Sequence, residues 1–339
     1  MSASTPKATD TRANTPALHP VVPGLWGQRN VFVNLYYVRT QEQPVASWVL
    51  VDAGLPGSGS KVQHTAEYLF GPGNPPAAIL LTHGHFDHVG ALPHLLKTWP
   101  NVTVYAHPLE LPYLRGLSAY PPPDPSVGGG AMAAMSFLYP KAPLDLGDRV
   151  QPLPTDGSVP HLPGWRWLPT PGHTPGHVSF FREQDRTLLA GDAFVTTKQE
   201  SATAVWQQRQ EVNGPPAYFT PDWPEAHQSV VLLAELQPAV AATGHGIPMR
   251  GEVLHQELQR LARQFEELAV PAQGRYVGHP ATANETGVTY VPPAPERQVP
   301  LWAVGAGVAA AVAGLVWLRS RNRPSTGQTS TYTSQDRYR

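Results

Sequence analysis

The segment Thr82-His83-Gly84-His85-Phe86-Asp87-His88 follows directly on the apolar run Ala78-Ile79-Leu80-Leu81, and it constrains this chain more than any other feature. Three imidazoles and a carboxylate packed so closely form a set of metal donors, and a hydrophobic core would not tolerate them unpaired. The fold that carries them must end a buried strand at a sheet edge, where the side chains can leave the core and converge. Alternation along an extended segment turns His83 and His85 the same way, and Gly84 between them leaves room for close backbone approach. Asp87 and His88 lie where the chain turns into a helix near Val89 and Gly90, so they aim in a different direction. One short segment can therefore serve two adjacent ions.

Further donors recur in the same local setting. His173 lies in Pro171-Gly172-His173-Thr174-Pro175-Gly176-His177, just past the β-rich run Trp165-Arg166-Trp167-Leu168. Asp192 ends Leu188-Leu189-Ala190-Gly191-Asp192, and His245 lies in Ala242-Thr243-Gly244-His245-Gly246. Each follows a β-run and is flanked by small residues. Other β-rich runs are expected at Val31–Val38, Trp48–Val51, Val102–Tyr105 and Val178–Phe181, with helices at about Lys61–Phe70, Ala91–Thr98 and Glu225–Leu236. Strands that meander, with helices between them, predict a layered α/β architecture with two sheets. Leu254, Leu258, Leu261, Phe265 and Leu268 repeat at helical spacing until Pro271, which marks a last amphipathic helix packed on the domain.

With these residues in view, the chain from about Val21 to Gly251 resembles the metallo-β-lactamase-fold hydrolase superfamily, especially its glyoxalase II-like and lactonase-like branches. The resemblance implies a four-layer αββα sandwich with the site at one sheet edge. It implies that His83, His85 and His173 bind one metal, that Asp87, His88 and His245 bind a second, and that Asp192 bridges them. Two zinc ions are the expected cofactor, with iron or manganese as alternatives for an N/O donor set. Two metals sharing a water lower its pKa toward about 7, which yields a bridging hydroxide nucleophile at neutral pH. The expected activity is cleavage of a carbonyl ester-type bond (thioester, lactone or ester) in a small-molecule substrate. Asp87 could also carry a proton to the leaving group. Asp52, in the Asp52-Ala53-Gly54 turn, is expected to orient a ligand histidine. The alternatives are a mononuclear iron oxygenase of the persulfide dioxygenase type and, from another class, a membrane-tethered binding protein with a vestigial site.

Composition excludes several other classes. The 24 basic and 25 acidic residues balance without a basic cluster in the body of the chain, so there is no electrostatic footprint for nucleic acid. The absence of cysteine removes disulfides, thiolate zinc sites and a Cys nucleophile. Proline, at 39 of 339 residues, clusters in runs such as Pro121-Pro122-Pro123 and points to rigid connections around a core.

The remaining histidines weigh less. His177 reads as a strand-start or orienting residue, His107 as structural, and His64, His94, His161, His227, His255 and His279 as surface or helix residues. Lys198 reads as a solvated lysine. The apolar stretch Met132–Tyr139 could be a lid or an ordinary inserted helix, with Tyr218, Phe219 and Trp223 as further wall.

Residues 1–20 read as a flexible polar tail without a secretory signal, 21–270 as the catalytic domain and 271–300 as a Pro-rich linker. The uncharged run Leu301–Leu318 would span about 27 Å as a helix. Trp302 and Trp317 flank it, and Arg319, Arg321 and Arg323 open the basic tail 319–339. It is expected to be a single-pass membrane anchor with the domain in the cytoplasm. Gly305, Ala309 and Ala313 would allow helix pairing into a homodimer.

Overall fold

The computed structural model describes residues 16–41 and 47–295. The first sheet runs in chain order through β1 (Leu18–Val22), β2 (Leu25–Asn30), β3 (Val33–Gln41), β4 (Ser47–Val51), β5 (Ala78–Leu80), β6 (Val104–Ala106) and β7 (Val150–Pro152). Its first four strands pair antiparallel and β4 to β7 pair parallel. The second sheet comprises β8 (Trp165–Pro169), β9 (Val178–Arg182), β10 (Thr187–Gly191), β11 (Val240–Thr243) and β12 (Met249–Arg250), in that spatial order. A hairpin of β13 (Thr282–Asn284) and β14 (Gly287–Tyr290) follows. The helices are α1 (Gly59–Phe70), α2 (Phe86–Val89), α3 (Leu92–Thr98), α4 (Leu111–Leu114), α5 (Ala131–Ala134), α6 (Ala202–Gln207), α7 (Trp223–Glu235), α8 (Gly251–Arg263) and α9 (Phe265–Leu268).

The period-2 alternation of the strands sorts their side chains into three cores. Leu35, Tyr37 and Leu50 face outward onto Val62, Ala66 and Phe70 of α1 and Leu92 and Leu95 of α3. Tyr36, Val38, Val49 and Val51 face inward and meet Val178, Phe180, Leu189 and Ala242 of the second sheet. The other face of that sheet, with Phe181, Leu188, Ala190 and Ala241, packs on Val230 and Leu233 of α7 and Leu254, Leu258 and Leu261 of α8. Helix, sheet, sheet, helix is the four-layer sandwich that was expected.

Strand direction places the site. In the first sheet β4 and β5 run parallel. In the second, β8 and β10 are both antiparallel to β9, and β10 and β11 are parallel, so β8, β10 and β11 point the same way. Asp52, the His83–His88 segment, His173, Asp192 and His245 each follow the C-terminal end of one of these five strands. The sheets are tied together at that edge. Val178 N–H donates to Thr82 C=O (2.9 Å), and Asn34 Nδ2 donates to Thr243 C=O (3.0 Å) and Gly246 C=O (2.7 Å).

Several boundaries differ from expectation. The run expected as one strand over Val31–Val38 begins in a hairpin turn, where the exposed Val31 takes φ +60°, and the strand itself starts at Val33. The amphipathic helix is interrupted at Gln264 (φ −119°, ψ 31°), which leaves helical geometry between α8 and α9. Leu18 and the residues after it enter β1 and so are not tail, whereas residues 1–15 lie outside the described residues. Residues 271–295 do not run as a free linker. Tyr276 and Ala281 are buried there, and the β13–β14 hairpin is docked by Val288 N–H on Ser118 Oγ (3.1 Å).

The expected membrane location is corrected. Among the described residues no helix is long and apolar enough to cross a membrane. The longest, α7 and α8, have 13 residues each, which gives about 20 Å against a hydrocarbon core of about 30 Å, and α8 carries Arg260 and Arg263. The run 301–318 lies outside the described residues, and no helix among the described residues supports that assignment.

Candidate metal centre

The site is assembled from loop residues that immediately follow buried strands. After β5 the chain passes Thr82 and His83, and His85 then serves as the extended N-cap of α2 (φ −65°, ψ 151°), which brings Asp87 and His88 into its first turn. His83, His85 and His173 form one group that could hold an ion, Asp87, His88 and His245 a second, and His83, His88 and Asp192 a third that links them. Within each group the donor atoms lie within 4.8 Å of one another, and every member is buried. Asp192 is the centre. Its Oδ2 lies 3.1 Å from His245 Nε2, 3.5 Å from His173 Nε2 and 3.6 Å from His88 Nε2. The seven residues singled out from the sequence as ligands thus converge.

The donor set fits metal ions. His83 Nε2, His88 Nε2 and Asp192 Oδ1 are buried polar atoms without a hydrogen-bond partner, an arrangement that is costly unless something else satisfies them. The backbone keeps the space open. A Cβ on Gly244 would lie 2.0 Å from Asp192 Oδ1 and 2.7 Å from His88 Cε1.

The rings of His83, His88 and His245 are held through Nδ1, as metal-binding histidines commonly are, with Thr82 Oγ1 3.0 Å from His83 Nδ1. Asp52 Oδ2 lies 2.8 Å from His88 Nδ1 and accepts the Thr82 hydroxyl at 2.8 Å, while its Oδ1 accepts the Thr82 N–H at 2.8 Å. Asp52 adopts φ +60°, a left-handed conformation that Asp tolerates better than most residues. The Phe32 carbonyl lies 2.8 Å from His245 Nδ1. His177 supplies no ligand atom: its Nε2 accepts the Asp192 N–H at 2.9 Å, and its Nδ1 lies 2.8 Å from Thr170 Oγ1. It therefore holds Asp192 in place, in keeping with an orienting role. His107 caps the turn Pro108–Glu110 by accepting the Leu109 N–H, and Lys198 is exposed.

Electrostatics divide the donors. Burial holds His83 and His173 well below the ordinary histidine range and lowers His85 to about 3, which favours neutral rings with a lone pair to offer. Burial also opposes the charged forms of His88 and His245, but Asp192 and its neighbouring carboxylates outweigh it and raise both. Burial acts to raise Asp192 too, yet His245 and His88 hold it well below the usual carboxylate range.

Two features escaped the sequence reading. The first is Glu110, a fully buried carboxylate that accepts from Gly84 N–H (2.9 Å), Gly176 N–H (2.9 Å), Thr174 Oγ1 (2.8 Å) and Tyr120 Oη. Only its position after a β-run, in Tyr105-Ala106-His107-Pro108-Leu109-Glu110, could have signalled it. The second is a cavity of about 240 Å³ beside His85, lined by Phe86, Tyr120, Leu144, Phe219 and Lys141. Phe219 stacks on His85 at 4.5 Å, and Tyr139 lies 5.9 Å from Phe219. Of the expected wall, only Phe219 lines this cavity: Tyr218 packs behind it at 5.1 Å, and Trp223 is buried against Phe265 (6.3 Å), because it opens α7 on the face turned to α8.

A two-sheet sandwich with histidine and aspartate donors at the strand ends defines a metal-dependent hydrolase scaffold. The description of the metallo-beta-lactamase superfamily matches residues 29–245, well over half of the chain, and the chain belongs to that superfamily. It is 45% identical over 245 residues to the probable metallo-hydrolase YflN of Bacillus subtilis (strain 168), covering 72% of this chain and 92% of that protein. A hydroxyacylglutathione hydrolase of Erwinia tasmaniensis is 33% identical over 117 residues, covering 34% of this chain and 33% of that enzyme. A beta-lactamase domain protein from Burkholderia ambifaria shares the fold, with a TM-score of 0.52 at 20% identity and 76% of each chain covered.

Proposed function

We propose that this chain is a dinuclear metal-dependent hydrolase that cleaves a thioester, lactone or ester carrying an apolar acyl group. The observation that carries the reading is the pair of buried donor triads on either side of Asp192, with three donor atoms left unpartnered. Two ions held by His83/His85/His173 and Asp87/His88/His245, with Asp192 between them, would supply Lewis acidity for activating a water at neutral pH and polarising a carbonyl. The residues of the chain do the rest. Asp192 separates the triads at fixed distance, and His177 fixes Asp192 through its backbone N–H. Asp87 and His85 are 5% and 6% exposed, the most of the seven donors, so substrate enters on their side. Asp87 is the carboxylate placed to pass a proton to the leaving oxygen or sulfur.

The cavity beside His85 supports an apolar acyl group. An apolar cavity of about 150 Å³ holds benzene, so one of about 240 Å³ has room for an aryl ring or a branched chain. Lys141 at its wall favours a neutral or anionic substrate over a cationic one. The likeness to a hydroxyacylglutathione hydrolase supports a thioester within this class. Zinc suits the donors best, with iron or manganese compatible. A one-iron oxygenase needs two histidines and one carboxylate, which His83/His88/Asp192 or Asp87/His88/His245 would supply, and it would leave His85 and His173 without a function.

The test is a panel of acyl thioesters, lactones and esters assayed on zinc-loaded and iron-loaded protein, with metal content measured in parallel. Hydrolysis with two ions per chain is expected. One iron per chain with oxygen consumption and no hydrolysis would replace this reading with the oxygenase. Phe219→Ala should lower kcat/KM for aryl-acyl substrates by about tenfold, as loss of a contact of 1–2 kcal/mol predicts, and leave acetyl substrates nearly unchanged.

A further inference from the structure

Glu110 lies outside the donor set, yet it ties together the two segments that supply one triad. Gly84, whose N–H binds Glu110 Oε2 at 2.9 Å, sits between His83 and His85. Thr174 and Gly176, whose hydroxyl and N–H bind Oε1 at 2.8 and 2.9 Å, lie in the loop that continues from His173. Tyr120 adds a fourth donor, its Oη also lying 3.0 Å from the Gly84 nitrogen and its ring packing 4.7 Å from the His85 ring. Tyr113 stacks on Tyr120 at 3.9 Å and holds it there.

The fit depends on glycine at both contact points. A Cβ on Gly84 would come within 2.5 Å of Tyr120 Oη, and one on Gly176 within 2.9 Å of Glu110 Cγ and Oε1. All four hydrogen-bond partners of this fully buried carboxylate are neutral donors. A buried charge satisfied only by hydrogen bonds is an expensive way to fill a core, since an apolar residue of similar volume would do so without desolvating a charge. Charge-assisted hydrogen bonds are roughly twice as strong as neutral ones, however, and so fix geometry more firmly. The second triad is oriented by different groups, Asp52 behind His88 and the Phe32 carbonyl behind His245.

We infer that Glu110 is the positioning residue of the His83/His85/His173 metal position, and that it sets the affinity of that position separately from its neighbour. The inference rests on the two-metal reading given above. A glutamine in its place has nearly the same shape but carries an amide NH2 where one oxygen accepted two hydrogens. Either the Gly84 N–H or the Gly176 N–H then faces another donor, and one histidine loop loses its anchor. The Asp87/His88/His245 position is untouched.

The experiment is zinc titration of metal-free full-length protein, read by calorimetry and by metal content after desalting. Wild type is expected to take two ions. Glu110→Gln is expected to keep one at wild-type affinity and bind the other at least about tenfold more weakly, the scale of lost support behind a ligand. The position is identified by combination. Added to His245→Ala, which leaves only the first position, Glu110→Gln should abolish most remaining binding. Added to His85→Ala, it should change the remaining affinity little. Equal weakening of both ions, or two ions at wild-type affinity, overturns the inference. If Glu110→Gln does not fold, Thr174→Val and Tyr120→Phe each remove one donor and should weaken the same ion severalfold, and no effect from either counts against it. A wild-type stoichiometry below two defeats the two-metal reading by itself. Glu110 is then judged on the His245→Ala background alone, where unchanged binding rejects it.

Discussion

Asp52 lies outside the seven candidate donors yet holds one of them from behind. Its two oxygens bind the Thr82 backbone, the Thr82 hydroxyl and His88 Nδ1, so one side chain sets the ring angle of His88 and anchors the start of the histidine segment. Asp52→Asn keeps the volume but loses an acceptor, and zinc affinity should fall by about 10- to 100-fold in a competition titration. A variant that binds both ions as tightly as wild type would assign Asp52 to folding alone. The same network sets a pH dependence. His88 and His245 are held above the ordinary histidine range by Asp192 and its neighbours, so without metal they keep their protons to higher pH than a free imidazole. Metal must displace those protons. Affinity should therefore rise as pH increases and level off above the raised values, with proton release seen by calorimetry in buffers of different ionisation enthalpy. An affinity that fell with rising pH across this range would contradict the assignment.

At the scale of elements, the site depends on how strands end. β5 stops at Leu80, and the chain then needs Thr82, Gly84 and the four-residue α2 to turn its donors in two directions. β11 ends at Thr243 and passes through Gly244, where the backbone crosses so close to Asp192 that only hydrogen fits. Gly244→Ala should displace the Asp192 carboxylate and reduce bound metal from two ions toward none, while far-UV circular dichroism stays that of the wild type. Two ions retained at wild-type affinity would mean the Asp192 loop can move aside. The helices serve the site less directly, α1 and α3 covering one sheet and α7 and α8 the other, so that the strand ends are held rigidly enough to aim side chains.

For the whole molecule, the candidate metal centre joins the two sheets: His83, His85, Asp87 and His88 follow a strand of the first, and His173, Asp192 and His245 follow strands of the second. Ions bound across this junction would stabilise the folded chain by mass action, by about 2.7 kcal/mol at a free concentration a hundredfold above Kd. Chelation should accordingly lower Tm by roughly 5–10 °C, and added zinc should restore it. An unchanged Tm after verified metal removal would show that the sheets pack independently of the ions. Much of this was legible in the sequence, because donor residues after β-runs and apolar alternation are local patterns. His83–His88, His173, Asp192 and His245 could be named without coordinates, as could a sandwich of two sheets. Glu110, the cavity beside His85 and the docked β13–β14 hairpin could not. Each exists only through contacts between segments far apart in the chain, and a buried glutamate or an ordinary phenylalanine carries no local mark of what it will meet. The sequence by itself determined which side chains could bind metal, since donor chemistry is a property of residue type. Tertiary structure alone decided what holds the rings, that Glu110 ties two of the donor loops together and that a cavity adjoins His85, because those are distances and distances are set by packing.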